Sequence, residues 1–255
     1  MVNWTESMQQ TFEYYIVDPN TWKDTTPLRN VTMCTISRDS DAESLGSASL
    51  SIKDLIGECY VRIYLVTIQN GVRERHPLGT FLIQTPSSEM NGKTRDVTVD
   101  AYTPLMELKE KSPPLGYSLL EGDNIMDAAY RIVRENTRAP VVPATSDEKL
   151  HKDFVADPEE KWLPFTIDLV SNAKYQLSLD EMGRVLFAPK QDIASLQPVW
   201  TYDDGNSSIL YPEISLDHDL YGVPNVVEVI YSSGKDNFYA RVVNDDSNSP
   251  TSTIR

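Results

Sequence analysis

"ECYVRIYLVTIQNGVRERHPLGTFLIQT", residues 58 to 85, reads as two strands joined by a tight turn. Along the first strand Cys59, Val61, Ile63 and Leu65 fall together, with Tyr60, Arg62 and Tyr64 opposite. This follows because successive side chains of a strand point to opposite faces. Asn70-Gly71 then interrupts the alternation, and both positions tolerate the positive φ that a two-residue hairpin turn requires. The stretch predicts a β-hairpin.

Strand texture extends to either side. "TFEYYIVD" (11–18) puts Phe12, Tyr14 and Ile16 on one face, and "NVTMCTIS" (30–37) alternates Val31, Met33 and Thr35 against Thr32, Cys34 and Ile36. "GSASLSI" (46–52) is small and alternating. "EMNGKTRDVTVDAY" (89–102) carries a second Asn-Gly at 91–92 and then sets Val97, Val99 and Ala101 on one face. About six short strands at this spacing predict a sandwich or small barrel over residues 1–102.

After Tyr102 the periodicity changes. "PLMELKEK" (104–111) reads as a short helix with Pro104 at its first position. "DNIMDAAYRIVREN" (123–136) is the clearest helix. Ile125, Ala129, Ile132 and Val133 share a face, Asn124 is placed to cap, and Pro140 and Pro143 bound it. Residues 144–160 are polar and are expected to be an exposed loop. A second helix is expected over 160–173, with Pro164 tolerable only in its first turn. "KYQLSLDEMGRVLFAP" (174–189) is a hairpin turning at Asp180–Gly183. From 198 the texture is again strand, best in "NVVEVIYS" (225–232), where Val226, Glu228 and Ile230 alternate with Val227, Val229 and Tyr231. The expected class is α+β, mainly β. The three regions are 1–102, a small α/β insert over 103–197, and a second β region over 198–255.

Composition narrows the function. A net charge of -15 over 255 residues disfavours a phosphate-gripping surface, which needs clustered Lys and Arg. No apolar run approaches the roughly 18–20 residues of a membrane helix, and "MVNWTESMQQ" lacks the basic start and apolar run of a secretory leader. Cys34 and Cys59, the only cysteines, are expected as buried thiols in a reducing cytoplasm rather than as a disulfide.

The candidates for chemistry fail in turn. Asn244, Asp246 and Asn248 alternate oxygen ligands like the start of a calcium loop. The sixth position, however, is Ser249 instead of glycine, and the twelfth is Arg255 instead of a bidentate glutamate. Asp180–Glu181 and Asp203–Asp204 have turn composition, so neither is expected to form the cleft-spanning acid pair of a glycosidase. His76, His151 and His218 are scattered. In a strand the flanking Asp217 and Asp219 would point to the opposite face from His218, so a lone surface histidine is expected. No P-loop, nucleophile elbow, dinucleotide fingerprint or Cys-x-x-Cys pair is present. The sequence therefore offers no catalytic, cofactor-binding or metal-binding residue, and no enzyme is expected.

Three stretches carry a resemblance: "LGTFLIQTPSSEMNGKTRDVTVDAYTPLMELKE" (78–110), "KYQLSLDEMGRVLFAPKQD" (174–192) and "WTYDDGNSSILYPEISLDHDLYGVPNVVEVIYSS" (200–233). In order and texture the chain resembles the hub proteins of bacteriophage tail baseplates. The resemblance implies two tail-tube-like β-barrel domains flanking the insert. It implies a homotrimeric ring joining a sixfold tail tube or distal tail protein above to a threefold spike, fibre or tail lysin below. It also implies DNA passing through an acidic lumen without specific binding, and a place in the virion tail after assembly in the host cytoplasm. A second barrel needs about five to seven strands, and the residues after 198 offer about four. The second domain is thus expected to be incomplete at Arg255. The alternative is a carbohydrate-binding or hydrolytic β-rich module of a cell-wall-targeting protein, suggested by the aromatic strands and acidic turns.

Overall fold

The computed structural model describes residues 2–53, 56–91, 94–192, 195–198, 222–232 and 237–253. The chain divides into two compact units, Met1–Ser195 and Leu196–Arg255.

The first unit is built on one antiparallel sheet of seven strands. These are β1 (Gln9–Val17), β2 (Asp24–Leu28), β3 (Val31–Ser37), β4 (Ser47–Ile52), β5 (Cys59–Gln69), β6 (Val72–Asn91) and β7 (Thr94–Tyr102), in the order β2-β1-β5-β6-β7-β4-β3. The β5–β6 hairpin lies at its centre. Its turn has φ of 51° at Asn70 and 78° at Gly71, the pair of left-handed residues that a two-residue hairpin demands. β6 pairs with β5 up to Ile83 and with β7 from Leu82 onward, with register shifts at Ile63/Tyr64 and Ile83/Thr85. Such bulges bend strands and increase twist.

The sheet is rolled. β1 is second in the order and β3 is last, yet Tyr14 on β1 and Cys34 on β3 pack against the same interior cluster. Ala48, Leu50, Ile52, Val61, Ile63, Phe81, Ile83, Val97, Val99 and Ala101 from four strands fill the interior. Among the described residues nothing pairs with the outer edges of β2 and β3, so these seven strands do not close into a hydrogen-bonded barrel. Both cysteines are free and only partly buried.

Pattern reading missed β2. "DTTPL" lacks an apolar alternation, and Pro27 cannot donate to a ladder; β2 pairs with β1 alone, the edge position where proline is tolerated.

The remainder of this unit packs on a separate core of residues between Leu105 and Phe187. It comprises α1 (Met106–Glu110), β8 (Ser118–Leu119), α2 (Ile125–Asn136), β9 (Phe154–Val155), α3 (Trp162–Asn172), β10 (Tyr175–Leu179) and β11 (Val185–Pro189). Asn124 caps α2 as expected, its Oδ1 accepting the Asp127 N–H at 3.0 Å. Ile125, Ala129, Ile132 and Val133 are all buried. Pro164 lies in the first turn of α3.

Two expectations need correction. α1 begins after Leu105 rather than at Pro104, because Met106 and Glu107 donate to the Thr103 and Pro104 carbonyls in a tighter preceding turn. The stretch 144–160 is not wholly exposed: Leu150 and Ala156 are buried, and Phe154–Val155 pairs with Ser118–Leu119. Isolated apolar residues in a polar stretch carry no period to reveal this.

In the second unit β12 (Val226–Ser232) and β13 (Asn237–Val243) form an antiparallel hairpin. The strands expected within 199–221 lie outside the described residues, as do Asp203, Asp204 and His218.

Candidate functional site

The most constrained polar chemistry lies where the rolled sheet meets the β10–β11 hairpin. Arg62 sits mid-strand on β5 with its side chain 1% exposed. Its Nε donates to Thr80 Oγ1 at 2.9 Å, Nη1 to Asp24 Oδ1 at 2.7 Å, and Nη2 to the Met182 carbonyl at 3.1 Å. Asp24 Oδ2 accepts the Tyr64 hydroxyl at 2.7 Å. A charge removed from water in this way is tolerable only with a counter-ion and filled donors, and Arg62 has both. The Met182 carbonyl also accepts the Trp22 indole N–H at 2.7 Å. Gly183 follows, with φ 75° and a backbone so close to Thr80 that an added Cβ would lie 2.6 Å from the Thr80 Cβ.

A second clamp joins the same bodies. Glu107 on α1 is buried and accepts the Arg138 N–H at 2.7 Å and its Nε at 2.5 Å. Arg138 continues to Glu58 at 3.1 Å and lies over the Tyr60 ring, 5.2 Å from its centroid. Burial, then the neighbouring Glu107 carboxylate, pushes the Tyr60 phenol well up. These groups tie the sheet to the insert within one compact unit.

The residues singled out from sequence do other work. Asp180 Oδ1 accepts the Arg184 N–H at 2.8 Å and Oδ2 its Nε at 2.5 Å, so this carboxylate closes its own turn. Glu181 faces Arg38 at 3.8 Å. His76 Nε2 lies 3.1 Å from the Thr67 hydroxyl and beside the Trp4 ring, whereas His151 is exposed and remote. Asn244 Oδ1 accepts the Asp246 N–H and Asp246 Oδ1 accepts the Asn248 N–H, which makes two successive side-chain turns. Among the described residues no three His, Cys, Asp or Glu side chains converge as metal ligands. No described helix is long and apolar enough to cross a membrane.

Sequence reading missed Trp22, Arg62, Glu107 and Arg138 as joining residues. The available signal was Arg62 itself, a lone cation between aromatics on a strand whose other face is apolar, which points to burial on both sides.

The second unit offers a surface. Directly opposite residues of β12 and β13 share a face, so Val227, Val229 and Tyr231 lie with Val242, Ala240 and Phe238. That face is wholly apolar and exposed, to 57% at Val229 and 70% at Val242. The other face carries the Glu228–Arg241 pair at 3.3 Å and the Tyr239 hydroxyl on Glu228.

No protein-family model matches the chain, and no curated protein matches it in sequence. Its fold does match solved structures. The tail protein of Neisseria meningitidis MC58 aligns over 93% of this chain and 69% of its own, with TM-score 0.66 and 14% identity. Prophage tail protein gp18 of Listeria monocytogenes aligns over 90% and 66%, with TM-score 0.51 and 10% identity. The 43 kDa tail protein of prophage MuSo2 from Shewanella oneidensis aligns over 71% and 56%, with TM-score 0.50 and 13% identity. The chain thus spans just under two thirds of the Listeria protein and little over half of the Shewanella protein. At such identities the likeness is one of fold: this chain has the mainly β fold of phage tail proteins, in agreement with the resemblance carried by its sequence.

Proposed function

We propose that the chain is a structural hub of a phage tail or tail-like particle, three copies of which close a ring between the sixfold tube and the threefold tip. The observation that carries this is the shared fold with the Neisseria tail protein over 93% of the chain. In this reading residues 1–102 and 198–255 are two tube-like domains flanking the insert 103–197. Three chains then present six similar domains to the tube, and closed symmetry leaves no free end. The net charge of -15 favours a lumen through which DNA slides without sticking. The exposed apolar face of β12–β13 favours a chain that works in an assembly, since faces of that kind are ordinarily covered.

The ring neighbours are a tail tube or distal tail protein on one side and a spike, fibre or tail lysin on the other. The role is non-enzymatic, and the place of action is the virion tail. Symmetry-resolved electron micrographs of particles carrying a label on this chain test the reading. Threefold density at the tube–tip junction is expected, and label confined to the capsid or absent from particles would contradict it.

A further inference from the structure

The β10–β11 hairpin has one edge in use and one bare. Val185 on β11 donates its N–H to the Pro140 carbonyl and accepts the Val142 N–H, both at 2.9 Å. Those bonds point away from β10, so Leu179, the residue opposite Val185, has no ladder bond to it. Beyond the two strand ends, Asp180 N–H donates to the Arg184 carbonyl at 3.1 Å and Lys190 N–H to the Lys174 carbonyl at 2.8 Å. The even-numbered residues from 174 to 180 therefore turn their main chain toward β11, while Leu177 and Leu179 turn theirs outward. Among the described residues nothing partners the N–H and C=O groups of Leu177 and Leu179.

Two adjoining hollows lie against this edge. One, of about 210 Å³, is lined by Ser178, Leu179 and Asp180; the other, of about 530 Å³, by Gln176, Leu177 and Ser178. Consecutive strand residues line a hollow that meets the strand edge-on, because a hollow over one face touches alternate residues. The opposite wall is the β3–β4 connection, residues 37–40 along the first hollow and 40–43 along the second. Ser40, Leu45 and Ser178 border both, so the hollows form one slot. Anchors hold that wall in place: the Arg38 guanidinium donates to the Leu78 carbonyl, and the Thr103 hydroxyl to the Ser44 carbonyl at 2.5 Å.

We propose that this slot receives an extended, lysine- or arginine-bearing segment of another polypeptide, which adds to β10 as a third strand. Bare main-chain groups repeating every second residue are the template for strand addition. Charge selects the occupant. Two cations line the slot, but Arg38 is held by Glu181 and the Leu78 carbonyl and Lys190 donates to Ser171 Oγ at 3.2 Å, whereas Asp39 and Asp41 on the wall form no ion pair among the described residues. The chain's own stretch 199–221 contains no Lys or Arg and five carboxylates, and a second copy carries the same net charge of -15. Both are electrostatically poor occupants beside a basic segment of a different protein.

Hydrogen exchange on the full chain tests this with two probes, the capped heptapeptide Ser-Val-Lys-Val-Lys-Val-Ser and its analogue with Glu for Lys. The Leu177 and Leu179 amides are expected to exchange fast in the dilute free chain and to slow at least about tenfold with the lysine peptide alone. The double variant Asp39→Lys, Asp41→Lys, altered only on the exposed wall, is expected to exchange the preference for the glutamate peptide. Three results would overturn the proposal: amides already slow in the dilute chain, which means its own residues cover the edge; protection that grows with chain concentration alone, which means a second copy does; or no response to either peptide.

Discussion

Gly183 meets two demands at once, a left-handed φ of 75° and a backbone pressed on Thr80. Gly183→Ala satisfies neither and is expected to cost about 1–3 kcal/mol, read as a lowered urea midpoint at unchanged slope. Asp24 is the counter-ion of a guanidinium only 1% exposed. Asp24→Ala leaves that charge uncompensated and is expected to cost about 3–5 kcal/mol, whereas Glu107→Ala costs less because Arg138 remains 45% exposed to water. Burial, then Glu58, pushes the Cys59 thiol up to about 11. Folding thus prefers the protonated thiol, and the unfolded chain loses its proton first as pH rises from about 9. Stability from this group is intact below that pH and declines between about 9 and 11. Thermal melts across this window are expected to fall less steeply for Cys59→Ala than for the parent chain.

At the scale of elements, α2 is the clearest case of local sequence directing structure. Asn124 accepts the Asp127 N–H and also donates its Nδ2 to the Ser146 carbonyl at 2.7 Å. Asn124→Ala is expected to cost about 1–2 kcal/mol, measured by chemical denaturation, with Asn124→Ser recovering most of the cap but not the Ser146 bond. Elements of this kind were legible because each carries its own period and punctuation: α2 its apolar face and cap, β5–β6 its alternation and Asn-Gly, β10–β11 its Asp-to-Gly turn. β2 was illegible because Pro27 and its threonines give no alternation, and only the edge it occupies explains it. Contacts between elements were illegible for a different reason. Periodicity says that β5 has two usable faces; it does not say that Arg62 will meet Met182, 120 residues away. The same holds for the calcium-like Asn244–Asn248 stretch, whose residue types suit both a metal and an Asx turn until the main-chain donors are placed.

At the scale of the whole molecule, the first unit is a rolled sheet joined to the insert through Arg62 at the Met182 carbonyl and Arg138 at Glu58, and the described part of the second is a hairpin with one exposed apolar face. Under the proposed hub role, an exposed face of that kind is one a neighbouring subunit would cover. The central claim is closure as three, and the mass of the particle-free assembly measures it most directly. Light scattering on the full chain, in buffer that preserves tail particles, is expected to give three times the single-chain mass of 28.8 kDa, constant on dilution. A stable monomer across that range, or a ring of six copies, would contradict the account.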